Sequence, residues 1–85
     1  MAVYLVTGAA GFIGARVSEF LVGDGHTVVG VDNLNDAYDV RLKHWRLEQL
    51  KRLPAFHFHR QDITEFQPLL RLFEKEGPFS AVINL

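Results

Sequence analysis

Two kinds of hydrophobic pattern alternate along the chain and mark its elements. Residues 2–6 form an apolar run without alternation, which is typical of a strand buried on both faces of a parallel sheet. A second such run covers residues 27–31 and ends at Asp32. Residues 56–59 alternate with period two, which indicates a strand with one less buried face, and residues 81–85 begin another apolar run. The sequence therefore predicts four strands.

Helical periodicity fills two of the intervals between these strands. After a glycine-rich turn, Ile13, Val17, Phe20 and Leu21 share one face of a helix that ends near Gly23. Residues 40–53 predict a second helix with one broad apolar arc. That arc consists of Val40, Leu42, Trp45, Leu47, Leu50 and Leu53. Polar residues interrupt it at Lys43, Arg46 and Gln49, so we expect partial exposure there.

The remaining segments complete an alternating order. Residues 33–39 are rich in Asn and Asp and predict a loop, whereas residues 64–76 predict a third helix. Pro68 leaves two candidates for the cap of that helix, Thr64 and Gln67. Alternating strands and helices predict the α/β class, a Rossmann-type parallel sheet with helices on both faces, in βαβαβαβ order.

Composition narrows the function classes. The 85 residues are 48% hydrophobic and 22% charged, as in a globular protein, and the net charge of −1 argues against nucleic acid as a partner. No cysteine is present, and the first 15 residues are too short and too rich in glycine for a membrane span. His57 and His59 lack an apparent third ligand, so we expect no metal site. The last apolar run has no closing turn, so we expect the chain to continue beyond it.

The glycine-rich turn between the first strand and the first helix carries the strongest functional signal. Gly8, Gly11 and Gly14 follow the spacing GxxGxxG, one residue longer than the dinucleotide fingerprint GxGxxG. Glycines at such a turn let backbone amides approach a pyrophosphate and let the helix pack close to the sheet. The helix N-terminus adds a partial positive charge. A sharp turn without a ligand is the alternative interpretation.

An acidic residue stands where a dinucleotide fold needs one. Asp32 follows 18 residues after Gly14, close to the spacing of about 20 for a carboxylate that binds the ribose hydroxyls. The next basic residue is Arg41, so we expect no cation beside Asp32 to neutralise a 2′-phosphate, which favours NAD over NADP. The alternative is an aspartate that only caps a loop.

These residues resemble the extended short-chain dehydrogenase/reductase family, the NAD-dependent nucleotide-sugar epimerases and dehydratases. The stretch TGAAGFIG at 7–14 matches the signature TGxxGFIG of that family. The stretch VDNLNDAYDVRLKHWRLEQL at 31–50 is most similar to the UDP-glucuronate 4-epimerases. The resemblance implies NAD as cofactor and a UDP-sugar as substrate, with inversion at C4 through a transient 4-keto sugar. It also implies a cytoplasmic homodimer without membrane association.

The resemblance also implies roles for individual residues around the pyrophosphate and ribose. Phe12 and Ile13 would offer backbone N–H groups to the pyrophosphate. Asp32 would hold the adenosine ribose, with Asn33 and Asn35 nearby.

The adenine contacts implied by the resemblance follow the third strand. Asp62 would bind the adenine amino group, with Ile63 beside it. Asp62 also has a structural interpretation, because with Glu65 three residues later it would form a variant of the helix-capping box.

The catalytic residues of the family are absent from these 85 residues. The family uses a Tyr-x-x-x-Lys pair, but Tyr4 and Tyr38 are followed four positions later by Gly8 and Leu42. We therefore predict that this chain is the N-terminal part of an NAD-binding domain, without the catalytic region and the substrate domain, and is inactive alone. A 4,6-dehydratase or reductase of the same family, and a non-catalytic NAD-sensing protein, remain the alternatives.

Overall fold

A computed structural model describes residues 2–34 and 40–85. Its elements, in chain order, are β1 (Val3–Thr7), α1 (Phe12–Gly23), β2 (Thr27–Asp32), α2 (Val40–Lys51), β3 (Phe56–Arg60), α3 (Phe66–Glu76) and β4 (Ala81–Ile83). The predicted order of strands and helices is confirmed. Asn35, a predicted ribose contact, lies outside the described residues.

The four strands form one parallel sheet in the order β3-β2-β1-β4. Successive residues of a strand point to opposite faces, so the apolar runs supply two cores. On one face Val6 and Val28 pack with Leu47 and Leu50, and α1 and α2 cover it. On the other face Leu5, Val29 and Val31 pack with Leu72 of α3. Helices therefore cover both faces, and the predicted Rossmann-type α/β fold is confirmed.

The buried face of α1 was predicted only in part, since Val17 and Leu21 pack against the core as expected. Gly14, Ala15 and Ser18 are buried, whereas Ile13 and Phe20 are 61% and 70% exposed. A Cβ at Gly14 would overlap the carbonyl oxygen of Gly8, so the helix lies too close to the turn for large side chains there. The prediction is therefore wrong for Ile13 and Phe20, because close backbone approach places small residues at the centre of the buried face.

The buried face of α2 was also predicted only in part. Leu47 and Leu50 are buried as expected, but Leu42 and Trp45 are 46% and 63% exposed. Lys43, which we expected to be partly exposed, is buried. The positions 43, 47 and 50 share one helix face, so the sheet contacts a narrower stripe than the broad apolar arc suggested.

Helix α3 begins at neither of the two predicted caps. Glu65 is its N-cap residue, without a side-chain hydrogen bond, and Phe66 is the first helical residue. Pro68 thus falls in the first turn, where its missing N–H would have had no intrahelical acceptor.

The described residues contain neither a membrane-spanning helix nor a cluster of three metal-ligating side chains. Within residues 2–34 and 40–85, no helix combines the length and apolar character required to cross a bilayer. In the same ranges, no three His, Asp or Glu side chains come together as a metal site. His59 instead places Nε2 2.7 Å from the Glu76 carboxylate of α3.

Candidate dinucleotide-binding site

The turn after β1 takes a conformation that depends on glycine. Gly8 has φ of +67°, in the left-handed region that L-residues rarely adopt. The N–H of Gly11 donates to the carbonyl of Gly8 over 3.0 Å and closes the turn. Because Gly14 lacks a Cβ, α1 begins directly against this carbonyl. The two glycines therefore bring the start of α1 into direct contact with the backbone of the turn.

The first turn of α1 offers unpaired amides. Gly11 is an extended N-cap residue without a capping side chain, and the first intrahelical bond runs from the Ala15 N–H to the Gly11 carbonyl over 2.9 Å. The N–H groups of Phe12, Ile13 and Gly14 precede that bond and have no acceptor within the helix. Together with the helix dipole, they suit an anionic ligand such as a diphosphate.

Asp32 connects the end of β2 to the glycine turn. Its side chain is 3% exposed. Oδ2 accepts the N–H of Ala10 over 3.1 Å, and Oδ1 accepts the N–H of Leu34 over 2.8 Å. Asp32 does cap its own loop, as the structural alternative held, but it also fixes the turn that would carry the pyrophosphate.

A cation faces Asp32, contrary to our expectation. Nζ of Lys43 on α2 lies 3.2 Å from Oδ1 of Asp32, and the lysine side chain is only 9% exposed. The expectation failed because α2 folds back over the end of β2, which brings a residue 11 positions away in sequence to the carboxylate. The argument for NAD from an absent cation is therefore wrong, and the choice of cofactor needs other support.

An open cleft of about 200 Å³ lies along the carboxyl ends of β1, β2 and β3. It is lined by Thr7, Gly8, Val31, Asp32, Asn33, Lys43, Gln61, Asp62, Ile63 and Leu85. The structure thus brings five of the predicted residues, from Gly8 to Ile63, to one cleft. The lining does not include Gly11, Phe12, Ile13 or Gly14, which belong to the adjoining helix N-terminus. Ligands of open α/β sheets bind at this edge, where strand order reverses.

Asp62 has a partner of its own beside the cleft. Oδ1 accepts the Thr64 hydroxyl over 2.7 Å and the Thr64 N–H over 2.9 Å. The hydrogen bond from the Thr64 hydroxyl lowers the pKa of Asp62 most, and the hydrogen bond from the Thr64 N–H lowers it further. The predicted capping-box variant is wrong in its details, because Asp62 holds a turn before α3 and the N-cap residue is Glu65. The carboxylate remains at the cleft in this arrangement.

Sequence reasoning missed the polar contact between β1 and β4. The hydroxyl of Thr7 lies 2.6 Å from Oδ1 of Asn84, and it accepts the N–H of Leu85 over 3.1 Å. These contacts join the carboxyl ends of the two strands beside Gly8. The position of Thr7 at the end of a buried strand was the available signal, and Lys43 had its own signal in the spacing to Leu47 and Leu50.

Unpaired amides at a helix N-terminus, a buried acid at the end of β2 and a cleft at the strand switch point are the features of Rossmann folds that bind dinucleotides. The family model described as GDP-mannose 4,6 dehydratase matches residues 5–85. The chain belongs to this family, which agrees with the resemblance to nucleotide-sugar epimerases and dehydratases.

Individual relatives point to one group of enzymes. The chain is 60% identical over all 85 residues to a UDP-glucuronate 4-epimerase from Thermodesulfobacterium geofontis, and it spans 26% of that protein. A UDP-glucuronic acid 4-epimerase from Bacillus cereus, solved with UDP-glucuronic acid and NAD, matches with a TM-score of 0.83 at 32% identity, over 98% of this chain and 26% of that one. A UDP-Glc/GlcNAc 4-epimerase from Campylobacter jejuni matches with a TM-score of 0.78 at 32% identity, over 100% of this chain and 24% of that one.

Proposed function

We propose that residues 1–85 are the N-terminal, NAD-binding part of a UDP-glucuronate 4-epimerase. The chain spans about a quarter of the relatives it matches, so the activity belongs to the whole protein. The catalytic Tyr/Lys region and the substrate domain would lie outside these residues. Identity over the full chain and the structural match to an epimerase solved with NAD both support the proposal.

The residues present fit a dinucleotide. The N–H groups of Phe12 and Ile13 would hold the pyrophosphate, since α1 begins at a turn that depends on the positive φ of Gly8 and on the close contact of Gly14 with the Gly8 carbonyl. Bound NAD supplies the redox chemistry, by reversible hydride transfer at C4 of the sugar. This chain's contribution is to bind and orient the cofactor.

The other proposed contacts surround the adenosine. Asp32 would accept the ribose hydroxyls beside Asn33, and Asp62 would accept the adenine amino group beside Ile63. Asn35 keeps its predicted role near the ribose, outside the described residues. The UDP-sugar substrate, the homodimer and the cytoplasmic location stay predictions for the whole protein.

One observation carries the proposal. The same short turn depends on glycine at positions 8 and 14 and is held by the carboxylate of Asp32, through the N–H of Ala10. A turn that served only to reverse the chain would not need a buried acid joined to it at the end of the next strand. A dinucleotide uses both features together, because its pyrophosphate and ribose are adjacent.

The test uses the purified full-length protein and UDP-glucuronate. We expect conversion to the C4 epimer, followed by chromatography of the nucleotide sugars, and we expect NAD to be released when the protein is denatured. Absence of both conversion and NAD binding would refute the proposal.

A 4,6-dehydratase is the second candidate, because the matching family model carries that description. A parallel assay with GDP-mannose, which carries the C6 hydroxyl that UDP-glucuronate lacks, separates the two by mass spectrometry, since a dehydratase product has lost one water whereas an epimer keeps the mass of the substrate. Binding of NAD without turnover of any nucleotide sugar would instead support the NAD-sensing alternative.

A further inference from the structure

Lys43 is a buried charged residue of the cleft that the proposed contacts do not use. Lysine is almost never fully buried unless it is paired, and the side chain of Lys43 is 9% exposed. Its position on α2 belongs to the stripe that contacts the core, with Leu47 and Leu50. An apolar residue there would extend that stripe, so packing alone does not account for a lysine.

The contact of Lys43 lies at the ribose end of the cleft. Its Nζ is 3.2 Å from Oδ1 of Asp32, and both residues line the cleft. Oδ1 also accepts the N–H of Leu34, and Oδ2 accepts the N–H of Ala10. The carboxylate therefore meets a full positive charge at the place where ribose hydroxyls would approach.

We propose that Lys43 sets the charge of the ribose end of the cleft and thereby controls how strongly NADP is rejected relative to NAD. This inference rests on the proposed dinucleotide site. NADP differs from NAD by a 2′-phosphate, which carries more than one negative charge and is repelled by Asp32. The ammonium of Lys43 offsets that repulsion, and it acts on the neutral 2′-hydroxyl of NAD much less.

A second cation of α2 touches the same turn but not the carboxylate. Nη1 of Arg46 donates to the carbonyl of Ala10 over 3.4 Å, and its guanidinium lies 5.8 Å from the ring centroid of Phe12. Arg46 thus faces the outer side of the turn. Lys43, rather than Arg46, is the cation positioned to set the charge beside Asp32.

The experiment measures the affinities of NAD and NADP for the full-length protein by calorimetry. In Lys43→Met we expect NADP binding to weaken about tenfold more than NAD binding, a ratio that corresponds to about 1.4 kcal/mol. Lys43→Arg keeps the charge and should restore the wild-type ratio. Lys51→Met is the matched control, because Lys51 lies on the same helix, is exposed and does not line the cleft.

A second pair of variants covers the case in which Lys43→Met fails to fold because the buried carboxylate of Asp32 loses its counter-charge. Asp32→Asn and the double variant Asp32→Asn/Lys43→Met differ only in the ammonium, and the double variant leaves neither charge buried alone. The double variant should bind NADP about tenfold more weakly, relative to NAD, than Asp32→Asn does.

A purely structural role makes a different prediction. If Lys43 is only structural, wild type and Lys43→Met should have the same ratio of NAD to NADP affinity within about twofold, and so should Asp32→Asn and the double variant. Equal ratios in both comparisons would overturn the inference. Wild-type protein that binds neither dinucleotide would refute the proposed function instead, so the two failures are distinguishable.

Discussion

Asp32 ends β2, Asp62 follows the neighbouring strand β3, and both line the same cleft, yet their surroundings differ. The side chain of Asp32 is 3% exposed and joins the glycine turn, its own loop and α2 through three donors. Asp62 is partly exposed, and within residues 2–34 and 40–85 its side chain is held only by Thr64, two residues away. The two acids of one site thus differ in their structural role. Asp32 stabilises the turn that would bind the ligand, whereas Asp62 stabilises only the short turn at Thr64.

We expect the largest loss of NAD affinity from a substitution in the glycine-rich turn, which Asp32 contacts and Asp62 does not. In Gly14→Ala the new Cβ overlaps the carbonyl of Gly8, so either the turn or α1 must move. We expect NAD to bind the full-length protein about a hundredfold more weakly, or worse, by calorimetry. Gly23→Ala is the control, because nothing lies within 4 Å of a Cβ there. Equal affinities for the two variants would mean that the turn does not carry the pyrophosphate.

Removal of Asp32 should affect both binding and folding. In Asp32→Ala we expect NAD affinity to fall about tenfold or more, since charge-assisted hydrogen bonds to the ribose are lost. The free energy of unfolding should also fall, by about 3–5 kcal/mol, because Lys43 is left buried without the carboxylate. Calorimetry and urea unfolding measure the two effects. An unchanged affinity would contradict the role of Asp32 in the site.

Removal of Asp62 should separate binding from folding. In Asp62→Ala we expect NAD affinity to fall about fivefold, as for one hydrogen bond to the adenine amino group, while urea unfolding shows little change. Thr64→Val is the matched control, because it removes the hydroxyl that binds Asp62 but keeps the carboxylate. A loss of stability as large as that of Asp32→Ala would show that the two acids do not differ as proposed.

The smallest expected effect is a change in the free energy of unfolding at acidic pH, through Asp62. The pKa of Asp62 is lowered from 3.8 by Thr64, so its ionised form stabilises the folded state. That contribution is present above pH 3.8 and is lost as the pH falls through the lowered pKa. The free energy of unfolding of wild type should therefore lose its advantage over Asp62→Ala on acidification. If the difference between the two proteins does not change with pH, the hydrogen bonds of Thr64 do not favour the charged form.

Much of the fold could be predicted because buried parallel strands leave an unmistakable pattern of apolar runs separated by helical periods. The helix faces could be predicted only in part, although Val17 and Leu21 of α1 and Leu47 and Leu50 of α2 pack on the core as expected. In α1 close approach at Gly14 selects small residues over Phe20, and in α2 the buried stripe includes Lys43 where the pattern suggested Trp45. Both errors arise because tertiary contact, rather than hydrophobicity, decides which face is covered.

The site could be predicted where function depends on local sequence. The glycine turn and the acid at the end of β2 have characteristic spacings in the sequence, so they could be predicted without a structure. Lys43 and Thr7 were missed, because their contacts to Asp32 and Asn84 join elements that only the folded sheet brings together. The preference for NAD was argued from a missing cation, which failed for the same reason.

The central claim is that a dinucleotide lies with its pyrophosphate on the turn of residues 8–14 and its ribose on Asp32. A crystal structure of the full-length protein with NAD tests it most directly. We expect pyrophosphate oxygens at about 2.7–3.2 Å from the backbone nitrogens of Phe12 and Ile13, and ribose hydroxyls at a similar distance from Asp32. A nucleotide bound elsewhere, with this turn free of phosphate, would contradict the account.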